Sequence, residues 1–138
     1  MDNLIDDIAR DTKEKLKRKR LNETQARYTQ RQRNMGRKRV NALITRQAHF
    51  FLRKLAIEGR LTNREVIELA VADQHGKRPL IPPVVKDIEL AGYQGIYEWL
   101  HTDTVNILES LVSRKIYVDV HNALTAIICA YYQSKSEN

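Results

Sequence analysis

KRVNALITRQAHFFLRKLAIEGRLTNREV, residues 38–66, changes its hydrophobic period twice and so lays out three consecutive elements. Residues 39–45 alternate. Val40, Ala42 and Ile44 share one face of an extended segment, and Arg39, Asn41, Leu43 and Thr45 share the other. From residue 46 the spacing becomes three and four: Ala48, Phe51, Leu52, Leu55 and Ala56 mark one side of a helix over 46–58, which Gly59 ends. Thr62 followed by Glu65 has the spacing of a capping box, so a second helix begins at Thr62 or Asn63. Its buried side is Val66, Ile67, Ala70 and Val71, and His75-Gly76 closes it. A lone strand this short leaves its backbone groups without partners. The simplest partner for residues 39–45 is the same segment of a second copy.

On the N-terminal side lies a dense positive arm. Lys13, Lys15, Lys17, Arg18, Lys19, Arg20, Arg27, Arg31, Arg33, Arg37, Lys38 and Arg39 stand against only Glu14 and Glu23 between residues 13 and 39, a local net of +10. Residues 1–12 sum to −3, and residues 40–138 balance eleven bases against eleven acids. The chain's formal +7 therefore resides in the arm, and it favours a polyanionic partner. Residues 2–20 read as a helix whose acids sit in its first turn, as the helix dipole prefers. Residues 22–37 read as helix-capable or disordered, with no core of their own.

Beyond residue 76, Pro79, Pro82 and Pro83 mark a linker over 77–83. After it, residues 84–91, 95–101, 103–114 and 119–133 read as helices, with residues 116–120, IYVDV, as an alternative strand. Tyr93, Tyr97, Trp99, Tyr131 and Tyr132 read as core or as a dimer contact. The resulting domains are an arm at 1–37, a strand-helix-helix module at 38–76, the linker, and a helical interaction region at 84–138. The class is mainly α.

Cys129 is the only cysteine, so neither an internal disulfide nor a cysteine-based zinc site forms, and its AIICAYY setting suits a small buried hydrophobe. The four histidines are scattered as surface or cap residues. No nucleophile elbow, phosphate-binding glycine loop or recognisable catalytic carboxylate pair is present, so neither an enzyme nor a cofactor is expected. The acidic N-terminus is unlike a secretory signal, and no apolar run reaches bilayer length. These features point to a cytoplasmic protein with no membrane partner.

The stretch from Val40 to Val71 resembles the ribbon-helix-helix family of DNA-binding proteins, and is similar in particular to plasmid-borne replication and transcription regulators. RVNALIT, a helix of about three turns, and LTNREVIELAV carry the likeness. It implies a homodimer in which two copies of the strand pair antiparallel and enter the major groove of double-stranded DNA. Arg39, Asn41 and Leu43 would then meet base edges, with Arg suited to guanine, Asn to adenine and Leu to a thymine methyl. Arg37, Lys38 and the helix start at Thr62, Asn63 and Arg64 would meet phosphates. The implied role is a sequence-specific, nucleoid-associated transcriptional regulator, with a polymerase contact open to the C-terminal half. A partition or conjugation accessory protein and an antitoxin are the alternatives within this reading. A helical interaction module with an incidental basic tail is the alternative outside it.

Overall fold

A computed structural model describes residues 2–77 and 88–136. It divides into two units, residues 1–36 and residues 37–138. The first holds a single helix, α1 (Asp2–Asn34), longer than the 2–20 span expected and continuous through the polar stretch expected to be marginal. A threonine hydroxyl bonds back to the carbonyl four residues earlier at Thr12 and at Thr24, and Asp11 pairs with Lys15 at 3.3 Å. Gly36, at φ 72°, follows its C-terminal end in the left-handed conformation that glycine adopts without penalty.

The second unit runs β1 (Arg37–Thr45), α2 (Arg46–Gly59), α3 (Asn63–Gln74), β2 (Tyr93–His101), α4 (Thr102–Ser113) and α5 (Val120–Ser136). The strand-helix-helix order of 37–74 is the one expected from sequence. Thr45 caps α2 by accepting the Ala48 amide. Gly59 is helical, and the left-handed residue that ends α2 is Arg60, at φ 55°. Thr62 caps α3 with the complete capping box: the Glu65 amide donates to Oγ1 of Thr62, and the Thr62 amide donates to the Glu65 carboxylate. These bonds from Thr62, the backbone one first, hold the Glu65 carboxyl below its ordinary value. A depressed carboxyl adds stability above its unfolded value and loses it as pH falls through the folded one. Thr62→Ala removes the Oγ1 cap of the Glu65 amide and should cost about 1 kcal/mol. Urea titrations should show only the share from the hydroxyl bond to the Glu65 carboxylate shrinking as the pH is lowered, because the backbone bond survives the change.

The ribbon-helix-helix fold is not what this chain forms. β1 pairs antiparallel with β2 of the same chain, in register from Arg37 opposite His101 to Thr45 opposite Tyr93. One strand and two helices per copy do not accommodate the five α-helices and two-stranded sheet formed by the described residues of one molecule. The other edge of β1 is also engaged at its C-terminal end. The Leu43 amide donates to Nδ1 of His121 at 2.7 Å and the Thr45 amide to Oγ1 of Thr125 at 3.4 Å, both from α5. A second copy of residues 39–45 has no free edge there on which to pair.

The reading of 95–101 as a helix is likewise corrected. Ile96, Trp99 and Leu100 imitate a three-and-four spacing, but Trp99 and Leu100 are buried on opposite faces of a strand. Gly92, at φ 94°, turns the chain into β2, and its carbonyl accepts the Arg46 amide at 3.0 Å. Residues 116–119 form neither helix nor strand. The expected linker lies, beyond Lys77, outside the described residues, as does the first half of the helix expected at 84–91.

Modules 38–76 and 84–138 are not separate domains, because one core unites them. Val40, Ala42 and Ile44 of β1 meet Ile96 and Leu100 of β2, and Leu52 of α2, Val66, Ile67 and Val71 of α3 and Leu108 of α4 join them. α5 is buried over nine consecutive residues, Ala123–Tyr131, so it is a central helix rather than one with a single apolar stripe. Burial pushes the Cys129 thiol up to about 11, which leaves it inert. Phe51 of α2 stacks on Tyr132 at 4.0 Å between centroids and closes the C-terminal end of this packing. No helix among the described residues is long and apolar enough to cross a membrane.

Candidate nucleic-acid interface

The odd-numbered residues of the ribbon form one face, exposed at Arg39, Asn41, Leu43, Tyr93 and Tyr97 and buried at Trp99. Side chains alternate along a strand, so Val40, Ala42 and Ile44 turn to the core, and the Leu43 and Thr45 amides, directed at α5, leave the even-numbered amides of β1 to β2. Arg39, Asn41 and Leu43 are therefore exposed, the placement expected for them. Opposite them stand Trp99, Tyr97 and Gly95, and Tyr93 stands opposite Thr45. Tyr93 and Tyr97 are 69% and 54% exposed, so they are not part of the core. Arg39 donates to the Tyr97 hydroxyl at 3.0 Å, and its guanidinium lies 5.0 Å from the ring centroid. These contacts hold the guanidinium beside the ring while leaving donors for a ligand. The outer face thus presents a cation, an amide, an aliphatic group and two phenols. Sequence reasoning missed the tyrosines, although the alternation of Tyr93, Gly95 and Tyr97 was the available signal.

The remaining ribbon cations are differently placed. Lys38 lies 3.4 Å from the Glu109 carboxylate in a pair exposed on both sides, worth little to stability and easily exchanged for another anion. Arg37 opens the strand opposite His101. His101 is itself a cap, with Nδ1 accepting the Asp103 amide at the start of α4.

The start of α3 is poorly suited to a phosphate. Asn63 accepts a hydrogen bond from Arg53 at 2.8 Å. Arg64 pairs with Glu68 at 3.3 Å, and Glu68 also accepts the His101 amide. Arg64 further offsets Glu98, whose carboxyl burial pushes up. Above all, the Glu65 carboxylate already occupies the cap, so an arriving phosphate meets a negative charge there. Thr62, Asn63 and Arg64 are committed to holding the fold.

In α1 the arm acquires a geometry that composition alone did not give. Arg10, Lys13, Lys17, Arg20, Arg27 and Arg31 follow one another at spacings of three and four, with Thr24 filling the single gap, and so line one stripe. Asp11, Glu14 and Glu23 fall off it. The stripe is about 32 Å long at 1.5 Å per residue, close to one turn of B-DNA. Every residue from Ile5 to Tyr28 is exposed. Lys15, Arg18, Lys19 and Arg33 lie on other sides of the helix, so the arm's cations are not equivalent. Arg10, outside the arm as read from sequence, belongs to the stripe.

No group of three histidine, cysteine or acidic side chains placed to hold a metal occurs among the described residues. Comparison with protein-family models, curated proteins and solved structures yields no match to this chain.

Proposed function

We propose that this chain binds double-stranded DNA and acts as a DNA-bound regulator, with the α1 stripe on phosphates and the outer face of the ribbon on base edges. The observation that carries the reading is the α1 stripe: six exposed cations in line, uninterrupted by acid, on a helix that spends none of them on a core. Neutralising phosphates releases counterions, which is the main source of non-specific affinity. The ribbon supplies what the stripe lacks, since Arg39 and Asn41 carry the bidentate chemistry that distinguishes guanine and adenine. A protein working this way belongs with the nucleoid in the cytoplasm.

Fluorescence anisotropy of the full chain on labelled duplex tests it. Binding should weaken steeply with salt, and selection from a random duplex pool should enrich a motif. On that motif Asn41→Ala should cost about 1–3 kcal/mol while leaving random duplex unchanged. Equal loss on both would remove the ribbon from sequence readout. Exposed Tyr93 and Tyr97 favour one second reading, a single-stranded ligand whose bases stack on the phenols. Tighter binding of a single strand than of a duplex of equal length, abolished by Tyr97→Ala, would establish that reading instead.

A further inference from the structure

The geometry points to a second interface: the N-terminal half of α1 pairs antiparallel with α1 of another copy of this chain. Ile5, Ile8 and Leu16 are 67%, 60% and 51% exposed, and with Thr12 they follow a helical spacing along one side of α1. This apolar side is about a quarter-turn from the basic stripe, so covering it leaves the stripe beyond Lys13 open. A helix exposed over this length has no packing of its own to stabilise it, and isolated helices in water are marginal.

Charge decides both the occupant and its direction. Residues 1–12 carry a net −3, whereas residues 13–36 carry nine bases against two acids. A parallel pair would set the acidic turns of one helix on those of the other. An antiparallel pair centred near residue 10 sets each acidic segment on the basic segment of its partner. It opposes Ile5 to Leu16 of the partner subunit and Ile8 to Thr12 of the partner subunit, and it brings Asp6 beside Lys13 of the partner subunit on one flank. The pairing needs no DNA, because its contacts all lie between the two helices. The patch is small, so the pairing is weak in isolation and strengthens when both copies share one polyanion.

Cysteine crosslinking of the full chain tests the direction, with buried Cys129 as an inert background. Ile5→Cys and Leu16→Cys proteins should form a disulfide dimer when mixed and oxidised, and neither should do so alone at the same concentration. Self-crosslinking of each variant, or no crosslink in the mixture, would overturn the antiparallel pair. Sedimentation equilibrium supplies the second arm. Ile8→Glu should raise the dimer dissociation constant at least tenfold, with the helical circular dichroism of the unit 37–138 retained. Asp6→Lys should weaken the dimer, and adding Lys13→Asp should restore it. A wild-type chain that stays monomeric at millimolar concentration, or a dimer indifferent to all of these changes, would sink the proposal.

Discussion

Replacing Lys17, Arg20, Arg27 and Arg31 together by glutamine is expected to reduce affinity for duplex DNA on the order of a thousandfold at about 0.15 M salt. The figure follows from counterion release. Each phosphate contact contributes about 0.9 to the slope of log affinity against log salt, so losing four flattens that slope by roughly 3 to 4. Glutamine has nearly the helix propensity of lysine and arginine, so α1 keeps its fold. The informative control carries the same loss of charge elsewhere on the helix. Lys15, Arg18, Lys19 and Arg33 lie on other sides of α1, and their replacement should reduce affinity and slope far less. Anisotropy titrations of both variants across a salt series measure the two quantities at once. If the two quadruple variants behave alike, net charge alone accounts for binding and the stripe has no role of its own. An affinity loss without a change in slope would mean that the four residues do not touch phosphates.

Local signals proved readable where local physics decides the outcome. Thr62 and Glu65 announce the start of α3 because the capping box closes within four residues, and it forms as read. Val40, Ala42 and Ile44 face the core, and Arg39, Asn41 and Leu43 face outward, because a strand's period is two whatever its partner. The identity of that partner is a long-range property. Nothing near residue 40 tells that Tyr93–His101 will pair with it, and the three-and-four spacing of Ile96, Trp99 and Leu100 disguised the second strand. With β2 hidden, a second copy was the economical source of hydrogen bonds, and a real need for a partner led to the wrong partner. The candidate interface divided in the same manner. Arg39, Asn41 and Leu43 follow from alternation alone, and the stripe of α1 follows from spacing once the helix is known to run unbroken to Asn34. The pairing of Arg64 with Glu68 was open to reading, since the two stand four apart on one helix, but the bond from the His101 amide that also holds Glu68 is a property of the folded chain.

Ile44→Ala is the change that separates the present fold most sharply from a strand shared between copies. Ile44 is fully buried, lies opposite Gln94 in the ribbon, and packs in the cluster that holds Leu52, Ile67 and Leu124. Truncating such a side chain removes its transfer free energy and leaves a cavity, and the expected loss is about 2–5 kcal/mol. A domain of this size commonly has only about 5–15 kcal/mol in hand, so the variant should unfold at a markedly lower urea concentration. The decisive quantity is how that loss depends on protein concentration. Within one chain β1 and β2 are tethered, and the midpoints of wild type and variant should stay fixed across a hundredfold dilution of the unit 37–138. A ribbon assembled from two copies would instead lose stability on dilution, because dissociation would accompany unfolding. The test bears on function as well. Ile44 lies between Leu43 and Thr45, whose amides bond α5, so loosening it disorders the strand that presents Arg39 and Asn41. Site-specific DNA binding should therefore fall near the new unfolding midpoint, while the salt-dependent affinity supplied by α1 persists beyond it.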